Sequence, residues 1–291
     1  MKNIKQLYLL ILIFSPMIVF SHHTTLTSEP YHCSQDINEE LYKKHFSSIS
    51  TEDDISARTI AIAQSFIGTP YKENTLDINI NEQLIVNIAN VDCTTFVEYV
   101  LAIAMSDSYT QFSAKLQAIR YRQGKIIDYT SRLHYFSDWI YENIQNGTIT
   151  CIDSSFQETY LKKINFMSSH ADSYPLVKGN SVLIHQLAEI EKQISLRHQH
   201  YIPKDKVQTY ESTFKDGDLV AITTNIEGLD VVHVGFIIFK NKRAHLLHAS
   251  SNKNEVTISN EPLSDYLAKS KNKTGIMIVR PNNFQANKDT N

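Results

Sequence analysis

Three residues of this chain have the types and settings for nucleophilic chemistry: Cys93, His233 and His248. Cys93 stands in Asp92-Cys93-Thr94-Thr95-Phe96-Val97-Glu98-Tyr99-Val100, where Phe96, Val97, Val100, Leu101 and Ala104 recur at the spacing of one buried helix face. Asp92 is a good N-cap, because its carboxylate can accept from the free N–H groups of the first turn. A cysteine there lies at the positive end of the helix dipole, so its pKa is expected to fall below the free value of about 8.5. The bland reading is a small buried hydrophobe, which free cysteine often is.

The two histidines lie on segments that read as a hairpin, Val231–Phe239 and Ala244–Ser250, joined across Asn241-Lys242. With a two-residue loop, Lys240 faces Arg243, Gly235 faces His248 and His233 faces Ser250. Strand side chains alternate, so His233 and His248 share a face as diagonal neighbours about 7–8 Å apart. A four-residue loop keeps this parity, whereas an uncompensated three-residue loop breaks it. Gly235 is read as open space beside both rings, and His245, on the other face, as structural. A lone strand histidine is more often a satisfied side chain than a catalyst; two on one face make a stronger case. If the Cys93 helix sets its N-terminus on this face, a nucleophile, a base (His233) and a residue fixing the base's tautomer (His248) come together.

The elements that must hold these residues follow from the pattern around them. Residues 55–66 read as an amphipathic helix closed by Gly68 and Pro70, with Gly68-Thr69-Pro70-Tyr71 as a turn. From Gln111 to about Arg197 the chain reads as helix and loop. After Pro203 the segments 218–223, 230–239, 244–249, 255–258 and 275–279 read as strands. Helices first and sequential strands afterwards imply an α+β fold with an antiparallel sheet.

The N-terminus fits a secretory signal: Lys2 and Lys5, an apolar run of about 14 residues from Leu7 to Phe20, and a small-residue site at Ser21. That run is short for a membrane span. Cleavage would leave 26 basic against 31 acidic residues, a formal −5. With no basic stripe interleaved with aromatics, nucleic acid is not an expected partner. Three cysteines in an oxidising compartment leave one over, and the favoured arrangement is a Cys33–Cys151 disulfide with Cys93 as the free thiol. Two free thiols is the alternative.

Gly68-Thr69-Pro70-Tyr71, Asp92 to Val97, Asp216-Gly217-Asp218-Leu219-Val220, His233-Val234-Gly235 and His248-Ala249-Ser250 resemble, in order and spacing, the NlpC-type papain-like cell-wall cysteine hydrolases. The stretch from Ile119 to Tyr135, with Phe166-Met167-Ser168, resembles one branch, the N-acetylmuramoyl-L-alanine amidase-like family. The resemblance covers roughly residues 56–281. It departs from the broader group in carrying Lys72-Glu73-Asn74-Thr75 for a double glycine, Thr95 where many members have Gly, and a long helical section before the sheet.

The resemblance implies a papain-like fold with Cys93 as nucleophile at a helix N-terminus, His233 as base and His248 as orienting residue. It implies that Tyr71 lines the oxyanion site; Asp92, Arg132 and His134 complete the expected oxyanion- and substrate-binding set. Arg120 and Arg122 are further cations for acidic groups, although arginines on exposed helices are usually solvated. The implied reaction is hydrolysis of the N-acetylmuramoyl–L-alanine amide of peptidoglycan or muropeptides through a thioester, with no cofactor and no metal. The rivals are a D-glutamyl–diaminopimelate endopeptidase using the same residues and a non-catalytic wall-binding module. A zinc amidase built on His198 and His200, or His245 and His248, lacks a His-Glu-x-x-His helix. The expected organisation is a signal peptide at 1–21, a mature N-terminal segment at 22–55 and a single catalytic domain at 56–291. Within it a helical insertion spans about 107–215 and the sheet about 216–281. The expected location is periplasmic or secreted, with no membrane association after signal cleavage.

Overall fold

A computed structural model describes residues 34–50, 54–152 and 155–282. The expected signal peptide and Cys33 lie outside the described residues. Helices lead. Ser34 caps α1 (Gln35–Phe46) by accepting from the Ile37 N–H, and Asp54 caps α2 (Ile55–Ser65) by accepting from Ala57. In α3 (Cys93–Ala104) Asp92 accepts from the Thr95 N–H at 2.7 Å, while the Thr95 hydroxyl accepts from the Asp92 N–H at 2.9 Å. This reciprocal box fixes the first turn, and with it the position of Cys93.

The expectation of a single buried face on α3 does not hold: Thr95 to Ala104 are all buried. α1, α2 and α4 (Tyr109–Arg120) pack against it in addition to the sheet. The burial extends to Glu98, which accepts from Arg120 Nε at 2.7 Å. Such a pair is tolerated in a core because each charge meets its opposite.

α5 (Phe136–Gln145), the short α6 (Phe166–Ser169), α7 (Ser181–Ser195) and α8 (Val207–Tyr210) occupy the expected helical section. Three short strands interrupt it: β1 (Ile149–Cys151), β2 (Glu158–Tyr160) and β3 (Gln199–Pro203). All three join the sheet, which therefore begins well before residue 216. Runs this short do not show alternation in sequence. The remaining strands fall within two residues of expectation: β4 (Leu219–Thr224), β5 (Val231–Lys240), β6 (Arg243–Ser250), β7 (Glu255–Ile258) and β8 (Lys273–Pro281). α9 (Leu263–Ala268) connects β7 to β8.

The sheet is antiparallel in the order β2-β3-β8-β4-β5-β6-β7, with β1 also paired to β8. Both faces are covered. Val234, Phe236, Leu247 and Ala249 pack under α3, where the Phe96 and Phe236 rings meet edge-on at 5.7 Å. Val220, Ile237, Leu246 and Ile278 pack on the other face with Leu263 and Leu267 of α9. The chain is thus α+β, as its element order implies. Asp230, at the entry to β5, accepts from the N–H groups of Val231 and of Ser137, each at 2.7 Å, tying the start of α5 to the strand that carries His233.

Candidate active site

The β5–β6 hairpin has the expected register, from Lys240 opposite Arg243 to Phe236 opposite Leu247. Asn241 and Lys242 adopt φ of 50° and 64°, the pair of left-handed residues that a two-residue hairpin loop requires. Alternation therefore puts both histidines on one face. His233 Nε2 lies 2.5 Å from His248 Nδ1, with the rings perpendicular at 89° and their centroids 4.8 Å apart. One nitrogen donates and the other accepts, so the contact fixes both tautomers.

Gly235 does not leave open space. A Cβ there would stand 2.6 Å from the Leu247 carbonyl oxygen and 3.0 Å from His248 Cβ, so glycine is what lets β6 bring His248 close. A second device sits beside His233. In the β4–β5 ladder Ile222 faces His233 and Thr223 faces Val231, leaving Val232 as the extra residue of a bulge.

The expected arrangement depends on the N-terminus of α3, not its body, reaching the histidine face. The body of α3 covers the opposite face, through Val234, Phe236 and Leu247. Cys93 packs at the edge of that core, beside Val234, in the stretch beyond Phe236 and Leu247 where β5 pairs only with β4, and β6 only with β7. The Val234 N–H, one residue from His233, donates to the Cys93 sulfur. Cys93 is free and half-buried. Cys151 is exposed on β1, and Cys33, its expected disulfide partner, lies outside the described residues.

Electrostatics reverses one expectation. Burial, followed by the neighbouring Asp92 carboxylate, pushes the Cys93 thiol up to about 12. The Val234 N–H, the Thr94 hydroxyl and the N–H of Cys93 pull the other way without prevailing. Burial holds His233 well below its ordinary value, with His248 and Lys273 adding repulsion, and lowers His248 to about 4, again with Lys273 contributing. Both shifts favour thiol and imidazole over thiolate and imidazolium.

Tyr71 lies half-buried within electrostatic reach of Cys93 and Asp92, and burial keeps its phenol protonated as a donor. Its backbone is pinned beside β7 and beside Val91, close to the start of α3. The other expected ligands are committed elsewhere. The Asp92 carboxylate is taken by Thr95. Arg132 pairs with Asp77 and Glu82, each at 2.9 Å, under the Tyr129 ring. His134 Nε2 meets the Tyr129 carbonyl at 2.8 Å, and burial lowers its pKa to about 3. Arg120 and Arg122 pair with Glu98 and with Asp138 and Glu142. These arginines hold the helical section together instead of facing solvent. His245 Nδ1 meets the Ser259 carbonyl, so it does not converge with His248. Two residues escaped sequence reasoning. Tyr266 packs edge-on to His248 at 5.8 Å and lies within electrostatic reach of Cys93, and Lys273 sits 3.5 Å over the Tyr266 ring. Both come from α9 and the start of β8, where no local pattern marks them.

A family model described as N-acetylmuramoyl-L-alanine amidase-like matches residues 61–276. A crystal structure described as an N-acetylmuramoyl-L-alanine amidase from Bacteroides uniformis ATCC 8492 is 37% identical, with a TM-score of 0.77 over 79% of this chain and 99% of that one. A Bacteroides fragilis protein provisionally described as a xylanase is 41% identical, with a TM-score of 0.72 over 75% and 98%. A protein from Legionella pneumophila str. Philadelphia 1, 23% identical with a TM-score of 0.64 over 85% and 94%, shares the fold. No curated protein matches the chain.

Proposed function

This chain belongs to the N-acetylmuramoyl-L-alanine amidase-like family, and on that premise we propose that it is a papain-like, NlpC-type cysteine amidase cutting the bond between muramic acid and L-alanine. The observation that supports the reading is that Cys93, at a helix start, receives the Val234 N–H, one residue along β5 from His233, whose ring interlocks with His248. The nitrogen of His233 left over from that pairing is Nδ1. As the Cys93 sulfur attacks the lactyl carbonyl carbon, its proton passes to His233 Nδ1. The N–H of Cys93 and the Tyr71 hydroxyl donate to the oxyanion, and one such donor is typically worth about 3–4 kcal/mol. Collapse breaks the carbon–nitrogen bond, His233 returns the proton to the departing alanine nitrogen, and a thioester remains. Water then gives a proton to His233, attacks the thioester and releases the lactyl acid, and the sulfur regains that proton. His248 keeps the base in the tautomer that can accept.

A glycoside hydrolase uses two facing carboxylates. The carboxylate nearest Cys93 is Asp92, already held by Thr95, so the amidase reading fits this centre better. Export to the cell envelope, through the segment at 1–21, would bring the enzyme to its substrate.

The test is digestion of defined muropeptides by wild type and Cys93→Ala, read by mass spectrometry. Wild type should release the free muramic acid moiety and a peptide with an L-alanine amine. Cys93→Ala should lose about 10⁴-fold or more in rate while keeping its fold. Cleavage between D-glutamate and diaminopimelate would make the chain an endopeptidase. Binding without cleavage by wild type would make it a wall-binding module.

A further inference from the structure

We propose that Lys273, seated over Tyr266 beside the histidine pair, receives a carboxylate of the substrate's peptide and so marks the leaving-group side of the site. This deepens the amidase reading and rests on it. Lys273 opens β8 opposite Thr224, at the end of the sheet where β5 begins. Its ammonium lies 3.5 Å above the Tyr266 ring, and Tyr266 in turn packs on His248 and lies within reach of Cys93. Among the described residues no carboxylate is within ion-pair distance of it. The nearest acid to act on it, Glu261, is bonded to Lys269 at 2.7 Å. Lys273 is only partly exposed, and burial drags it down to about 8. A half-desolvated cation seated on an aromatic face, with no carboxylate in ion-pair distance among the described residues, lacks its counter-ion.

The chemistry of the substrate says where that counter-ion comes from. The muramoyl half, joined through its lactyl carbonyl, is neutral, whereas every carboxylate of a muropeptide belongs to the peptide. An anion drawn to Lys273 therefore places the peptide beside Tyr266 and His248. The cation also favours neutral histidines before substrate arrives, and a bound carboxylate would relieve that repulsion.

The experiment compares two compounds, MurNAc-L-Ala-D-Glu with both carboxylates free and its diamide, on wild type, Lys273→Met and Lys273→Arg. Turnover is read as kcat/KM, and binding is read separately by calorimetry on Cys93→Ala with and without Lys273→Met. Wild type should prefer the free acid by about 10- to 100-fold, the range of one hydrogen bond between charged groups. Lys273→Met should bring that ratio towards one, in turnover and in binding alike, and Lys273→Arg should retain most of it. No preference in wild type, or an equal loss on both compounds in Lys273→Met, would overturn the assignment. Equal loss would mean that Lys273 acts on the histidines or the fold. If Cys93→Ala binds the free acid better, Lys273→Met removes that preference, and wild type cuts neither compound, the amidase reading fails and Lys273 still stands as the carboxylate site.

Discussion

At the residue scale, the site turns on the protonation of Cys93. A helix N-terminus lowers a thiol's pKa and burial raises it, and here burial and the Asp92 carboxylate prevail. On the proposed mechanism, attack on a carbonyl then requires proton transfer to His233 in the same step, which a neutral imidazole with a free Nδ1 can accept. Iodoacetamide labelling should expose this state. Carbamidomethylation of Cys93, followed by peptide mass so that Cys151 is scored apart, should climb by roughly tenfold per pH unit between pH 7 and 9. A plateau below pH 8 would show that the thiolate is the resting form. Parity along two strands was enough to pair His233 with His248. The direction of the thiol shift was not legible, because it depends on how completely α3 is enclosed by elements distant in sequence.

Among the elements, the acidic and basic residues around Arg132 carry the clearest lesson. Short spacings such as Arg120-Tyr121-Arg122 and Arg132-Leu133-His134 read equally well as ligands or as solvated surface. Their partners, Asp77 and Glu82 for Arg132 and Glu98 for Arg120, lie in segments 22 to 55 residues away. No window of local sequence joins them. Arg132 side-chain exposure is 8%, and Glu82 is 5% exposed, so removing the guanidinium leaves acids with little water to replace it. Arg132→Met should lower stability by about 3–5 kcal/mol, seen as a reduced urea midpoint, with KM for muropeptides little changed where the protein is folded. A raised KM with an unchanged midpoint would return Arg132 to the substrate-binding set. The hairpin, by contrast, was readable from Asn241-Lys242 and strand alternation, since its contacts are close along the chain.

For the whole molecule, the helical section does not stand apart from the sheet. β1, β2 and β3 thread it into the same antiparallel array as β4 to β8, and Trp139 of α5 lies in the core shared with α3. Trp139 fluorescence and far-ultraviolet dichroism should therefore report one coincident urea transition. Two separated transitions would show that the section between residues 107 and 215 folds as its own unit. The α+β class and the five later strands were legible because runs of β-branched and aromatic residues announce them. The three short strands were not, since pairing with β8 and with each other, rather than their own pattern, makes them strands.

The buried, protonated state of Cys93 has a consequence for durability. Thiolates attack peroxides and foreign disulfides far faster than thiols do. On the proposed mechanism, a nucleophile that ionises only as substrate reacts would be shielded from oxidation between turnovers, an advantage if the protein is exported as proposed.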